Sequence, residues 1–127
     1  MSAEEGRPYV VKLVRDKVGD LLAGDTPATY EPAEEHLSHD EIIQLLRAKL
    51  IEEATEYLLN PSVGELADVL TVVEALAYED LGCGLNRVQV EAMRKLEERG
   101  GFDSGTVMIC RTLAPKWEEQ WRRRGRS

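Results

Sequence analysis

Residues 50–70 read LIEEATEYLLNPSVGELADVL, and this stretch decides the fold. Its first half closes one helical pattern and its second half opens another. Ile42, Leu46, Leu50, Ala54 and Tyr57 recur at three- and four-residue steps, so the spacing predicts a helix from about Asp40 to Leu59 with one apolar face. Ser38 or His39 stands near its N-cap, Asp40 and Glu41 suit its first turn, and Asn60-Pro61 stops it. Ser62-Val63-Gly64-Glu65 then has the form of a capping box, and a second helix is expected to run to Leu81 with Gly82 as its stop. The middle of that helix, LADVLTVVEALA, is apolar on nearly every side, as a central bundle helix must be. Only Asn60-Pro61 joins the two helices, so they have to double back as an antiparallel pair.

Working outward, Tyr9–Gly24 (YVVKLVRDKVGDLLAG) starts as an extended apolar stretch. It continues as a short helical pattern through Val14, Val18, Leu21 and Leu22, closed by Gly24. Asp25–His39 reads as loop, with Pro27, Pro32 and the acids Glu31, Glu34 and Glu35. After the Gly82-Cys83-Gly84 turn, Asn86 with Gln89 is expected to cap a third helix that reaches Arg99 and ends at Gly100-Gly101. Phe102–Leu113 is expected to be irregular or extended, and Pro115–Arg124 to form a last short helix carrying Trp117 and Trp121. Those two rings read as packing onto a neighbouring helix or subunit, with base stacking as the other reading.

The chain has 127 residues, enough for one domain and too few for a second core. Residues 1–127 are therefore read as a single helical domain with disordered tails at 1–8 and 122–127. Hydrophobic residues make up 43% but aromatics only 6%, so the core rests on Leu, Val, Ile and Ala, which suits helix-on-helix packing. The net charge of −8 argues against nucleic-acid binding, which needs basic surface. Arg122–Arg124 with Arg126 is a local exception, read as a solvated end. No apolar run approaches the roughly 18 residues of a membrane span. Met1–Arg7 is too polar for a signal peptide, and Cys83 and Cys110 form no CxxC or Cys/His cluster. The expected location is a reducing cytoplasm.

The acids carry the chemistry. Glu52, Glu53 and Glu56 project within roughly 100° of one another on the first long helix, at the border of its apolar face. Glu65 and Asp68 lie three apart on the next helix, and Glu65 shares its sector with Val69, Val72 and Leu76. The hairpin brings both sets together near its closed end. Like charges so placed repel, and near apolar walls at least one should hold a proton above its ordinary pKa. A divalent cation would neutralise them, and oxygen-only ligands favour Mg²⁺ first and Mn²⁺ second. The other reading is a solvated acidic face, with Glu65 serving only its helix cap. Near these acids lies Lys49, one turn before Glu52 and Glu53, which either meets an anionic substrate or pairs with Glu53. His36 and His39 read as surface or helix-start residues.

Glu52-Glu53-x-x-Glu56 followed by Glu65-x-x-Asp68 resembles the EExxE…ExxD signature of the MazG-like superfamily of all-α nucleotide pyrophosphohydrolases. That superfamily is related to phosphoribosyl-ATP pyrophosphohydrolase and the dimeric dUTPases. Lys12-Leu13-Val14-Arg15-Asp16-Lys17-Val18 is similar to the KLVRDKI opening of a small single-domain subgroup, and Arg94-Lys95 with Arg99-Gly100-Gly101-Phe102 to its ending. One departure is the spacer of eight residues between Glu56 and Glu65, shorter than is usual in the superfamily.

The resemblance implies Glu53, Glu56, Glu65 and Asp68 as Mg²⁺ ligands, with Glu52 orienting or deprotonating the attacking water. It also implies Arg15, Lys17, Arg94 and Lys95 as cations for the substrate, although Arg94 or Lys95 pairing with Glu97 or Glu98 is an open alternative. The expected activity is hydrolysis of a nucleoside triphosphate to monophosphate and pyrophosphate. The expected architecture is an all-α antiparallel four-helix bundle completed by oligomerisation, as a homodimer or dimer of dimers. A catalytically inactive assembly or nucleotide-sensing module is the alternative, and a phosphoribosyl-nucleotide is the alternative substrate.

Overall fold

The computed structural model describes residues 11–22, 24, 27–111 and 122–123. Among them there are four α-helices and no strand: α1 (Val18–Leu22), α2 (His39–Leu59), α3 (Val63–Glu79) and α4 (Leu85–Arg99). A 3₁₀ turn at Ala33–Glu35 precedes α2. None of these helices is long and apolar enough to cross a membrane. Two compact units, Met1–Met93 and Arg94–Ser127, divide within α4.

α2 begins where its cap chemistry dictates. The Ser38 hydroxyl accepts from the Glu41 N–H at 3.2 Å, and the Glu41 carboxylate accepts from the Ser38 N–H at 3.0 Å. α3 is capped from one side only, by the Ser62 hydroxyl accepting from the Glu65 N–H at 3.1 Å. The two helices pack antiparallel. Arg47, early on α2, donates from Nε and Nη2 to both oxygens of Asp80 just past α3, each at 2.7 Å, while Glu53 further along meets Glu65 and Asp68 near the start of α3.

The core of this pair is small. Ile43 and Leu46 of α2 and Val72 and Ala77 of α3 are the buried apolar side chains among the described residues. The apolar face expected on α2 is thereby corrected: Ala54 and Tyr57 are exposed, and the covered stripe runs through Ile43, Leu46, Leu50 and Glu53. A single packed neighbour covers a single stripe, and Ala54 and Tyr57 lie beyond its edge.

α3 stops two residues short of the expected Leu81. The Leu76, Ala77 and Tyr78 carbonyls accept from the N–H groups of Asp80, Leu81, Cys83 and Gly82, and Gly82 turns the chain with φ of 64°. α4 starts at Leu85, so Asn86 sits inside its first turn instead of capping it, and the Gly84 carbonyl takes the Arg87 N–H. Gly100, with φ of 78°, closes α4 by donating to the Leu96 carbonyl. Within α1, Gly19 lies so close to Tyr30 that a Cβ there would stand 2.8 Å from the Tyr30 Cβ, which leaves no room for a side chain. The expected helix over Pro115–Arg124, with Trp117 and Trp121, lies outside the described residues except for Arg122 and Arg123, which are helical and exposed. Residues 1–8 also lie outside them.

Candidate metal centre

The hairpin brings carboxylates from both helices to one place. One oxygen each from Glu53 on α2 and from Glu65 and Asp68 on α3 lie within 4.8 Å of one another, and all three residues are partly buried. The burial pattern follows the helical repeat: Glu65 shares its half-buried face with Val69 and Leu76 and with the buried Val72. At α3 the Ser62 hydroxyl satisfies the first-turn N–H, but the Glu65 carboxylate does not return the bond as Glu41 does at α2. Glu65 is therefore turned toward the cluster instead of closing a capping box.

Burial pushes the Glu65 carboxyl up from its ordinary pKa, and the charges of Asp68, Glu56 and Glu53 push it the same way. Glu56 thus acts electrostatically on the group, yet it is exposed and stands outside the close triplet. Three cations face the acids. Lys49, with its side chain only 15% exposed, reaches Glu52 and Glu53 at 3.2 Å each. Lys12 contacts Glu52 at 2.5 Å, and Arg15 donates from Nη2 to Asp68 Oδ1 at 2.5 Å and to the Thr71 hydroxyl at 3.3 Å. The hydrogen bond from Lys12, joined by one from Lys49, holds Glu52 below the usual glutamate range. The same bond raises the Lys12 ammonium above its ordinary value.

Of the cations singled out in the sequence, Arg15 and Lys49 stand among the acids. Lys17 is exposed and makes no ion pair among the described residues. Arg94 belongs to the second unit, where its Nη1 donates to Glu98 at 2.6 Å; Lys95 lies in the same unit and is partly buried. Sequence reasoning quoted Lys12 within its motif but gave it no role at Glu52, because a contact between residues 40 positions apart leaves no local periodicity. Arg47 and Asp80 escaped for the same reason.

A second acidic group, Glu31, Glu35 and His36, is fully on the surface. Its Glu31 accepts from the Thr29 hydroxyl at 2.9 Å and meets His36 Nε2 at 3.3 Å; the Thr29 bond first, and then His36, hold the Glu31 carboxyl below the ordinary range. His39 is the first residue of α2. Cys83 and Cys110 are free thiols.

The donor set fits a hard divalent cation: it is all oxygen, comes from two helices braced against each other, and includes a carboxyl that its surroundings destabilise in ionised form. Compared with known proteins, the chain matches no family model, no curated protein and no solved structure.

Proposed function

We propose that this chain is a Mg²⁺-dependent pyrophosphohydrolase of MazG-like type, acting on a nucleoside triphosphate or a closely related nucleotide. The observation that carries the reading is the convergence of Glu53, Glu65 and Asp68 within 4.8 Å from two helices. The charge balance supports it. Glu52, Glu53, Glu56, Glu65 and Asp68 outnumber the three cations that face them, Lys12, Arg15 and Lys49, and that excess of negative charge attracts a divalent cation.

Glu53, Glu65 and Asp68 would hold the ion, with Glu56 completing the set from one turn along α2. Such an ion, when bound, polarises phosphoryl oxygens and offsets charge developing on them. Glu52, held by Lys49, orients the attacking water toward the α-phosphorus. Water's oxygen forms the new bond there and passes a proton to the Glu52 carboxylate, the bond to the α–β bridging oxygen breaks, and pyrophosphate leaves from a nucleoside monophosphate. Arg15, Lys17 and Lys49 supply positive charge for the polyphosphate.

The apolar surface of α3 favours assembly as part of the same reading. Val63, Leu66, Ala67, Val69, Leu70 and Val73 line an open depression of about 510 Å³, and a homodimer or dimer of dimers would cover it. A cytoplasmic setting belongs to the same proposal. The test is pyrophosphate release from a panel of nucleoside triphosphates and phosphoribosyl nucleotides, with Mg²⁺, Mn²⁺ or EDTA. Turnover of at least one substrate that EDTA abolishes is expected. Inactivity across the panel, or full activity in chelator, would overturn the enzymatic reading in favour of a nucleotide-sensing or assembly module.

A further inference from the structure

A short piece of irregular chain ties the two carboxylate-bearing helices together. Lys12 reaches α2 at Glu52, and three residues on, Arg15 reaches α3 at Asp68 and, one turn further, at Thr71. Between them Leu13 is partly buried and Val14 is exposed, as is Val11 just before them. The backbone of 11–15 belongs to no helix, and its Arg15 carbonyl simply receives the Val18 N–H. The attachment is thus mainly ionic, through two half-exposed cations, and pairs of that kind are individually weak.

Both anchors sit at the candidate metal centre. Asp68 is one of the three converging carboxylates, and Glu52 is the direct neighbour of Glu53. A doubly charged cation settling among these oxygens neutralises what Lys12 and Arg15 neutralise now, and at a few ångströms it repels the guanidinium. The two occupants therefore oppose each other, and by linkage each must weaken the other by the same factor.

We infer that the segment Lys12–Arg15 is a cationic strap that closes the carboxylate face in the metal-free protein and is released when a divalent cation binds there. The inference rests on the reading of Glu53, Glu65 and Asp68 as a cation site. Release leaves a lysine and an arginine on a tether beside that site, free to meet an anionic polyphosphate. The strap is then an exchangeable counter-ion, holding the acids before the metal arrives and serving the substrate afterwards.

Two measurements on the full chain test this. Trypsin cuts after Lys12, Arg15 and Lys17, so mass spectrometry of timed digests reports how free the segment is. Mg²⁺ should speed these cuts in the wild-type protein, and in Asp68→Asn they should be fast with or without it. Calorimetric titration with Mn²⁺ should show Arg15→Gln binding the ion about three- to tenfold more tightly than wild type. Lys12→Gln should shift affinity in the same direction. If the cation binds but the cuts do not quicken, or Arg15→Gln binds no more tightly, the strap is wrong while the metal centre stands. If neither wild type nor Arg15→Gln binds Mg²⁺ or Mn²⁺, the metal centre itself falls, and the strap with it.

Discussion

Glu65 is the residue whose surroundings work hardest against its own charge. Desolvation and the neighbouring Asp68, Glu56 and Glu53 raise its pKa above the ordinary value of 4.5. Above that value, and up to the raised one, the folded protein keeps a proton that the unfolded chain has released. Stability from this group therefore falls as pH climbs through that window and stays lower beyond it. In EDTA at neutral pH, Glu65→Gln should melt above wild type, and the two should converge near pH 4. Saturating Mg²⁺ should reverse the order, because the ion stabilises the wild type by RT ln(1 + [L]/Kd) and the variant far less. If Glu65→Gln melts below wild type in EDTA as well, Glu65 is a structural hydrogen-bonding residue. A second contrast separates ligands from the water-orienting group. Glu53→Gln and Asp68→Asn should lose both turnover and the metal isotherm. Glu52→Gln should keep the isotherm while kcat drops by about two orders of magnitude or more. A vanished isotherm in Glu52→Gln would move that residue into the metal's own ligand set. The acids of this centre were legible because i, i+3 and i, i+4 spacings fix which side chains share a helix face. Lys49 was legible on the same rule, as a partner of Glu53 one turn on, but Lys12 and Arg15 were not placed at their acids, since Arg15 and Asp68 are 53 residues apart and pair only once the hairpin has closed.

α2 and α3 begin with the same device used in two ways. Ser38 and Glu41 exchange bonds reciprocally, whereas Ser62 caps α3 alone and leaves the Glu65 carboxylate free for the cluster. Losing either serine hydroxyl should cost about 1 kcal/mol of stability. The functional consequences should differ. Ser38→Ala is expected to leave metal affinity unchanged, because α2's first turn is far along the helix from Glu53. Ser62→Ala loosens the turn that carries Glu65, so its metal affinity should fall severalfold as well. Denaturant melts give the stability and calorimetry the affinity; equal affinities in the two variants would show that the cap and the cluster are uncoupled. Helix starts were readable to within a residue at α2 and α3, since Ser38, Ser62 and Asn60-Pro61 act locally. At the end of α3 the stop at Gly82 was legible, but the last regular residue, Glu79, was not. Tyr78 and Leu81 continue the apolar pattern, but Asp80 is drawn to Arg47 and the chain already leaves the regular helix there, ahead of the Gly82 turn. Asn86 misled for a related reason: Gly84, which also tolerates an N-cap position, precedes it.

At the scale of the molecule the question is what holds so thin a hairpin together. The described residues bury four apolar side chains, Ile43, Leu46, Val72 and Ala77, and a small core of that kind is at the lower limit of what sustains a fold. Meanwhile Leu66 and Leu70 are about half exposed, and Ile51, Leu58 and Leu59 at the end of α2 are more than two-thirds exposed. The depression lined by Val63, Leu66 and Leu70 adds to an apolar surface larger than scattered exposure explains. Covering a leucine such as Leu70 removes apolar area worth roughly 1.5–3 kcal/mol for a fully buried side chain, so a few such residues on each of two copies match the stability of a small domain. If that burial sustains the fold, folding and association are one equilibrium, and the melting temperature must rise with protein concentration. The expected result is a dimer or tetramer by light scattering and a Tm that climbs over a hundredfold dilution series. Leu70→Glu places a charge on the same face without touching the carboxylate centre. It should shift the protein to monomer, lower Tm by an amount that grows with concentration, and leave Mn²⁺ binding by the residual folded fraction unchanged. A concentration-independent Tm together with a wild-type-like melt for Leu70→Glu would show that the hairpin stands alone, and that the open face of α3 has some use other than assembling the fold.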